Sequence, residues 1–354
     1  MRKTFEISHD KHQTIYSMEG VRGLAVFLVF LVHYMTLIEP WAVHDTLTFQ
    51  VVEYIRDIGN VGVDLFFGLS GYLIYGMLLK KRFDLVKYFK RRVQRIYPVF
   101  TVVLVIYIFL SFIFSNESKI PDSWGGALVY IGQNFLLMPG IFDVVPIITV
   151  AWSLSYEFFY YIFSPVLLSF FSMRLWLPKY RALFFILMSI FLFAYFSIDS
   201  KHVRLLMFVP GILVFEVLEN SLPVKIPSIG MVFLIFIFFV LVCFKYFGVD
   251  GLLKYIFLFL FLFLFFLDCF SPKSFSYRLF STSYLRWFGN MSYSYYLIHG
   301  LSLKAAFMFL SYFFPVYYDS NVIVWMLLVP FFIFTLIPSL VLFVFIEKPY
   351  SLIR

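Results

Sequence analysis

The chain has 354 residues, of which 62% are hydrophobic and 14% are charged, whereas about 25% of the residues in an average soluble protein are charged. Its mean hydropathy of +0.91 and its repeated long apolar runs exclude a soluble globular protein and predict a membrane protein. The net charge of +8 lies largely between the apolar runs, so it suits anionic lipid headgroups or an anionic ligand and does not indicate nucleic-acid binding. Cys243 and Cys269 both lie in apolar stretches, so the sequence predicts neither a disulfide framework nor a metal site.

Long apolar runs follow one another along the whole chain. Most approach the length needed to cross a hydrocarbon core of about 30 Å, and backbone groups in lipid must be hydrogen-bonded within their own segment. The sequence therefore predicts an all-α polytopic membrane protein with about ten transmembrane helices. The ten runs begin near Leu24, Val61, Ile96, Ile148, Leu183, Leu205, Ile229, Leu252, Met291 and Val322.

Three basic loops predict how these helices are oriented. Residues 80–95 carry eight Lys and Arg side chains and one acid, residues 172–181 carry three, and residues 270–289 carry three with no acid. The positive-inside rule predicts that all three loops are cytosolic, which requires an even number of crossings between the first two. The glycine-containing piece at 124–138 is therefore predicted to be re-entrant or to lie at the outer side. Both termini are then cytosolic, with residues 1–18 as a tail and residues 19–350 as one membrane-embedded domain.

The first apolar run contains two ionisable side chains, Arg22 and His33. They are eleven positions apart, or about three helical turns, so both side chains share one helix face roughly 16 Å apart. Ionisable groups inside a membrane span are costly and by default mark a functional site. The sequence therefore predicts a cation near the inner surface and an imidazole deeper in the membrane.

An acid and several small residues occur together in the second run. Asp64 lies near its predicted outer end and is followed by Gly68, Ser70 and Gly71. The acid favours a function, whereas small residues at this spacing are equally typical of close helix packing. Both interpretations stay open at this stage.

Aromatic and ionisable residues also meet in the fourth run and near the C-terminus. Trp152 fits an interfacial aromatic belt, but Glu157, five residues later, requires a partner. Tyr293 and His299 lie in the ninth run, where a lone histidine is more often a packed core residue. Glu347 ends the last run.

Together these blocks resemble the acyltransferase 3 family of integral membrane acyltransferases, which modify hydroxyls of cell-surface glycans and other acceptors. The resemblance covers nearly the whole chain, and its most specific element is the Arg-x10-His pair of the first span. Glu19 stands where the family usually has aspartate, a conservative departure. The matching residues, in family order, are Arg22 and His33; Arg92 and Arg95; Trp152, Ser153 and Glu157; Ser292, Tyr293, Tyr296, Leu297 and His299; Glu347 and Pro349.

The resemblance implies an O-acetyltransferase of the bacterial inner membrane. Its donor would be acetyl-coenzyme A, and its acceptor a hydroxyl of an O-antigen, capsule or exopolysaccharide. Whether that glycan is lipid-linked, and whether the protein is a homo-oligomer, stay open. The resemblance implies no metal, and the lipid bilayer is the other expected partner.

Residue roles follow from the chemistry of this reaction. Guanidinium groups bind phosphate oxygens in bidentate fashion, so Arg92, Arg95 and Arg22 are predicted to bind the donor, with Arg22 orienting it. An imidazole has an ordinary pKa of about 6.5, so His33 is predicted to take the proton of the acceptor hydroxyl. Glu157 would hold that imidazole or bind the sugar.

The remaining family positions are predicted to support the substrate or the structure. Ser70 and Ser153 are alternative donors to the oxyanion of the tetrahedral intermediate. The full supporting set is Glu19, Asp64, Ser70, Trp152, Ser153, Tyr293, His299 and Glu347.

Two other classes of membrane protein are alternatives. A transporter or flippase of a glycan or acyl intermediate would also have about ten spans, but duplicated halves with broken helices at matching positions would be expected, and the sequence has no such duplication. A polymerase or ligase of lipid-linked glycans would carry a large charged outer loop. The predicted outer loops are short, which favours the acyltransferase.

Overall fold

The computed structural model describes residues 5–6, 15–80, 83–198, 201–220, 222–243, 251–315 and 320–352, with the backbone alone at residues 238 and 241–243. Lys81 and Arg82 of the first basic loop lie outside these residues. Within them the secondary structure is helical, apart from one isolated bridge between Pro139 and Phe142.

The helices follow the apolar runs of the sequence. In chain order they are α1 (Tyr16–Ile38), α2 (Leu47–Gly59), α3 (Val61–Leu78), α4 (Leu85–Ile113), α5 (Trp124–Phe135), α6 (Ala151–Phe170), α7 (Pro178–Phe196), α8 (Val209–Glu219), α9 (Ile229–Cys243), α10 (Gly251–Cys269), α11 (Phe275–Phe280), α12 (Ser283–Asn290), α13 (Ser292–Phe313), α14 (Asn321–Met326) and α15 (Leu328–Leu342). A π-helix, Phe343–Ser351, follows α15, and a 3₁₀ turn, Val203–Phe208, precedes α8.

Seven stretches of the described chain are long and apolar enough to cross a membrane. They are Tyr16–Trp41, Leu47–Leu78, Leu85–Ile113, Pro178–Phe196, Gly251–Cys269, Ser292–Phe313 and Leu328–Ser351. The predicted class, an all-α polytopic membrane protein, is thereby confirmed. The runs near Ile148, Leu205 and Ile229 are also helical, in α6, α8 and α9, which have 20, 11 and 15 residues. The total of ten spans and the cytosolic position of both termini stay predictions.

The piece at 124–138 forms a short helix and a turn. Helix α5 has 12 residues, so it is about 18 Å long and shorter than a hydrocarbon core of about 30 Å. The chain leaves it through left-handed backbone at Leu137 (φ 56°) and Gly140 (φ 92°). The prediction that this piece does not cross stays a prediction.

Labelling of introduced cysteines tests the predicted topology. Lys179 and Asp122 are both exposed, and the basic loops put Lys179 in the cytosol and Asp122 outside. In a chain with Cys243 and Cys269 replaced by alanine, an impermeant maleimide added to intact cells should label D122C and leave K179C unlabelled until the membrane is opened. Labelling of K179C from outside would contradict the ten-span topology.

The chain divides into two compact units. The first contains Met1–Val32, Glu53–Phe83 and Phe163–Asn290, and the second contains His33–Val52, Asp84–Ile162 and Met291–Arg354. In the first unit, α3 packs against α8 and the turn before it, and α10 packs against α8 and α9. In the second unit, α13 packs against α15 and α4, and α4 also packs against the π-helix.

Small residues let α3 approach its neighbours closely in the first unit. A Cβ at Gly71 would lie 2.0 Å from the carbonyl oxygen of Phe208, and a Cβ at Gly68 would lie 2.1 Å from the ring of Phe266. These two glycines therefore serve the close helix packing that was one of the two interpretations of this run.

Alanine substitution should separate packing glycines from unconstrained ones. Gly71→Ala forces its new Cβ against backbone, so we expect a loss of about 1–3 kcal/mol in the free energy of unfolding. Gly132 in α5 is the matched control, because nothing lies within 4 Å of a Cβ built there and alanine favours a helix more than glycine does. Equal thermal stability of the two variants in detergent would contradict the packing assignment.

Candidate active site

A cavity of about 930 Å³ lies in the second unit. Its walls come from the end of α1, the second half of α4, residues 114–120, residues 147–150, α13 and α15. Most of the lining side chains are apolar with a few polar groups among them, as in a typical ligand pocket. The polar lining side chains are His33, Thr36, Tyr107, Ser111, Glu117, Lys119, Thr149, Ser302 and Lys304.

The loop that follows α5 builds one wall of this cavity. Asn134 is buried, and its Oδ1 accepts a hydrogen bond from the Ile147 N–H at 2.8 Å. Its Nδ2 donates to the carbonyl oxygens of Tyr130 at 3.1 Å and Val145 at 3.4 Å. One amide side chain therefore fixes the loop to α5 and sets the position of Ile147, a lining residue.

His33 lies on the cavity wall and is half-buried. The centroid of its ring is 5.0 Å from that of His299, with 61° between the two ring planes. The predicted base thus faces a space that can hold a reacting group, and it has a second imidazole beside it. His299 is the other histidine that the sequence singled out.

His299 is fully buried and its Nδ1 is fixed by the backbone. Nδ1 lies 3.0 Å from the carbonyl oxygen of Tyr295 and 2.9 Å from that of Tyr296. The ring stacks on Tyr295 with 5.4 Å between centroids and 8° between planes. Because a carbonyl oxygen can only accept, Nδ1 carries a hydrogen, and in the neutral ring Nε2 keeps a lone pair.

Ser153 and Tyr296 connect two family motifs beside the cavity. Their hydroxyl oxygens lie 2.6 Å apart, and each hydroxyl is also within hydrogen-bond distance of the carbonyl oxygen of Val150, at 3.0 Å and 3.2 Å. Val150 lines the cavity. Trp152 packs edge to face on Tyr156 with 5.7 Å between ring centroids. Ser153 therefore contacts one lining residue, Val150, and the supporting roles of Ser153 and Trp152 stay predictions.

Three charged side chains line one part of the wall. Lys304 donates to Glu117 at 2.6 Å, with 47% and 60% of the two side chains exposed. This hydrogen bond lowers the pKa of Glu117. Lys119 donates to the carbonyl oxygen of Pro146 at 3.0 Å, and partial burial lowers its pKa, with the charge of Lys304 adding to the effect. The cavity therefore has a charged rim above largely apolar walls.

A buried ion pair links the first basic loop to the C-terminal motif. Nη1 of Arg95 donates to Oε1 of Glu347 at 2.6 Å, and Glu347 is fully buried. Oε2 of Glu347 accepts from the backbone N–H of Ser294 at 3.0 Å and from its hydroxyl at 2.6 Å. The guanidinium of Arg95 also lies 5.2 Å from the centre of the Tyr293 ring. Three predicted residues thus form one network, and part of the charge of Arg95 is balanced within the protein.

Arg92 lies among aromatic rings on the same helix. Its guanidinium is 5.7 Å from the Tyr88 ring centre and 5.5 Å from that of Tyr161. The Tyr161 hydroxyl donates to Oε1 of Glu157, one turn earlier in α6. Glu157 therefore lies with Tyr161 and Arg92. Among the described residues that line the cavity, His33 is present and Glu157 is not. Its predicted contact with the imidazole or the sugar stays a prediction.

The other predicted residues lie in the first unit. Arg22 is half-buried in α1, the helix that also carries His33, and Ser70 is half-buried in α3. Glu19 is buried and pairs with Arg286 at 2.7 Å, and the buried Asp64 lies 3.5 Å from Arg204. Both acids therefore have arginine partners, which fits a structural role.

Sequence reasoning missed several partners that the fold supplies. Arg181 lies in the second predicted cytosolic basic loop; it is buried and binds both carboxylate oxygens of Glu216 at 2.5 Å and 3.0 Å. Lys304 was also missed, although a lysine inside a predicted span is itself a functional signal. Within the described residues no cluster of three or more His, Cys, Asp or Glu side chains could hold a metal.

Comparison with known proteins points to one family. A family model described as an acyltransferase domain, that of acyltransferase 3, matches residues 15–344. A Haemophilus influenzae protein of uncharacterised function is 31% identical over 118 residues, which cover 30% of this chain and 48% of that protein. A Staphylococcus aureus protein provisionally named an O-acetyltransferase is 26% identical over 172 residues, 45% of this chain and 26% of its own length.

The O-acetyltransferase OatA of Staphylococcus aureus is 27% identical over 124 residues, 32% of this chain and 20% of that protein. The chain thus spans less than half the length of each of these relatives. No solved structure matches the chain. Because the family match covers nearly all of the chain, including His33, His299 and Arg95, the chain belongs to the acyltransferase 3 family of integral membrane acyltransferases.

Proposed function

We propose that this protein is an O-acetyltransferase that moves an acetyl group from acetyl-coenzyme A to a hydroxyl of a bacterial cell-envelope glycan. The observation that carries the proposal is the position of His33 on the wall of a cavity of about 930 Å³. The family match supports acyl transfer over a transporter or flippase, and the names of the Staphylococcus aureus relatives support an O-acetyl product.

In the proposed reaction His33 acts as the general base. A neutral imidazole nitrogen takes the proton of the acceptor hydroxyl as its oxygen attacks the thioester carbonyl. The tetrahedral intermediate then breaks its carbon–sulfur bond, coenzyme A leaves as the thiolate, and the imidazolium returns the proton to sulfur. The products are the acetyl ester and free coenzyme A, with His33 neutral again.

Arg92 is the arginine of the first basic loop that we expect to contribute most to donor binding. Coenzyme A carries phosphate groups, which arginine binds well. Arg95 already balances the buried Glu347, so it adds less net positive charge. Arg22 stays the predicted residue that orients the donor.

The charged rim suits the polar end of the acceptor. Glu117, Lys119 and Lys304 offer both donors and acceptors to sugar hydroxyls. In the predicted topology α4 begins in the cytosol, so this rim at the far end of α4 faces the outer side. We therefore propose that the acceptor enters from the outside and the donor from the cytosol, across a bacterial inner membrane.

Reconstituted transfer tests this function. Purified protein in lipid vesicles is supplied with acetyl-coenzyme A and with polysaccharide from a strain that lacks the gene, and thiol release and ester formation are both measured. We expect equal amounts of free coenzyme A and polysaccharide-bound acetate. Thiol release without a new ester would indicate hydrolysis only, and neither product from a folded protein would contradict the proposal.

A further inference from the structure

His299 has one nitrogen fixed and one nitrogen with a lone pair in the buried interior of the second unit. Nδ1 donates to the backbone of α13, at the carbonyl oxygens of Tyr295 and Tyr296. Among the described residues, the buried Nε2 has no hydrogen-bond partner. Such a buried acceptor costs free energy unless something donates to it, so its retention requires an explanation.

Hydrogen bonds and ring stacking together determine the orientation of the His299 ring. The two carbonyl oxygens fix the tautomer, and the parallel stacking on Tyr295 fixes the ring plane. Tyr295 is itself held by a 2.7 Å hydrogen bond between its hydroxyl and that of Thr335. A histidine needed only to fill space would not require a defined tautomer.

His33 is the polar side chain placed to use this lone pair. Its ring centroid is 5.0 Å away and its ring meets that of His299 edge to face. At this separation a small rotation of His33 brings one of its nitrogens within hydrogen-bond reach of Nε2, and hydrogen bonds of this kind commonly tighten when substrate binds.

We propose that His299 is a positioning residue for His33. Nε2 of His299 accepts the N–H of His33, which leaves the other nitrogen of His33 without a hydrogen and directed at the cavity. When that nitrogen takes the acceptor proton, the hydrogen bond to Nε2 stabilises the resulting imidazolium. This arrangement is a base oriented by a second group, with an uncharged imidazole in the place where other enzymes use a carboxylate. The inference rests on the proposed function, because it assigns a partner to the proposed base.

Two amide substitutions distinguish the roles of the two ring nitrogens of His299. The amide of asparagine reaches the position of Nδ1, so His299→Asn retains a donor to the backbone and loses the acceptor at Nε2. The amide of glutamine reaches the position of Nε2, so His299→Gln retains an acceptor for His33. His299→Phe retains the aromatic volume and loses both nitrogens. His202→Gln is the control, because His202 lies outside the cavity wall and in the first unit.

The kinetic test compares turnover with thermal stability in the same vesicles. We expect His299→Asn and His299→Phe to lower kcat by about 10-fold to 100-fold, by analogy with the loss of a partner that orients a metal-binding imidazole. The KM for acetyl-coenzyme A should stay within about twofold, and His299→Gln should recover most of the loss. Wild-type turnover in a folded His299→Asn variant would overturn the proposal, as would a loss of activity that follows loss of stability in all three variants.

Nitrogen-15 spectra of labelled histidines test the positioning without any activity. The His33→Gln and His299→Gln variants assign the two signals among the six histidines of the chain. We expect His299 to be the neutral tautomer with hydrogen on Nδ1, and the His33 signals to shift in His299→Asn and to stay unchanged in His202→Gln. Unshifted His33 signals would overturn the positioning role even if the protein is an active acetyltransferase. An inactive protein with shifted signals would contradict only the proposed function.

Discussion

Replacement of His33 by glutamine is expected to lower acetyl-transfer turnover by about 10²-fold to 10⁴-fold, the range typical of a lost general base. Affinity for acetyl-coenzyme A should barely change, because the lost interaction is made in the transition state and not in the ground state. Glutamine suits this test because it retains a polar side chain of similar length at the cavity wall.

The control for this variant is His44→Gln. His44 packs on Phe49 with 4.6 Å between ring centroids and lies outside the cavity wall, so its loss should leave turnover near that of the native protein. Turnover by single-turnover quench and donor affinity by calorimetry are measured on both variants. A stably folded His33→Gln protein with near-native turnover would remove His33 from the role of base.

Loss of Arg95 is expected to destabilise the protein more than loss of Arg92. Arg95→Ala leaves the fully buried carboxylate of Glu347 without its ion-pair partner, and breaking a buried pair in this way commonly costs about 3–5 kcal/mol. Arg92→Ala removes a guanidinium that lies against two tyrosine rings. It should instead weaken binding of acetyl-coenzyme A by about one to two decades, as for a lost charged hydrogen bond of about 1.5–3 kcal/mol.

A double variant distinguishes the ion pair from other effects of Arg95. Arg95→Met combined with Glu347→Leu removes both charges and retains much of the buried volume, so it should regain most of the lost free energy of unfolding. Unfolding in mixed micelles and calorimetric titration of the donor are measured on each variant. If Arg95→Ala unfolds like the native protein and binds donor far more weakly, Arg95 belongs to the donor site and not to the structural network.

The predictions that the structure confirms came from local patterns in the sequence. Apolar runs predicted the helices because a membrane requires every backbone group to be paired within its own segment. The basic loops and the glycines of 124–138 also predicted that this piece does not cross, which stays a prediction; the structure shows a helix of 12 residues there. Arg22 and His33 lie on one helix, Tyr16–Ile38, as their spacing predicted.

Pairings between distant residues could not be read from the sequence alone. Arg95 and Glu347 are 252 positions apart, and each was recognised only as a member of a separate motif. A charged side chain gives no local sign of its partner, since an arginine in a basic loop has the same sequence pattern whether it faces lipid headgroups or a buried acid. For that reason the sequence places Arg181 in a basic loop but gives no sign of its partner, Glu216.

The cavity could not be predicted from the sequence for the same reason. Its walls come from four helices and two connecting segments, residues 114–120 and 147–150, that approach only in the folded chain, so its charged rim had no pattern in the sequence. The exception is Lys304, whose position inside an apolar run was a signal in its own right. The sequence patterns of the two histidines are separate, and their separation of 5.0 Å in the folded chain is what makes a joint role physically reasonable.

Mass spectrometry of surface polysaccharide tests the proposed function most directly. Polysaccharide is compared from cells with the gene, without it, and with the gene carrying His33→Gln expressed at the native level. We predict that each modified repeat unit carries one additional acetyl group in the first strain, and that this group is absent from the other two. Identical polysaccharide in all three strains, with the protein present in the membrane, would contradict glycan O-acetylation. Full acetylation with His33→Gln would contradict the role of His33.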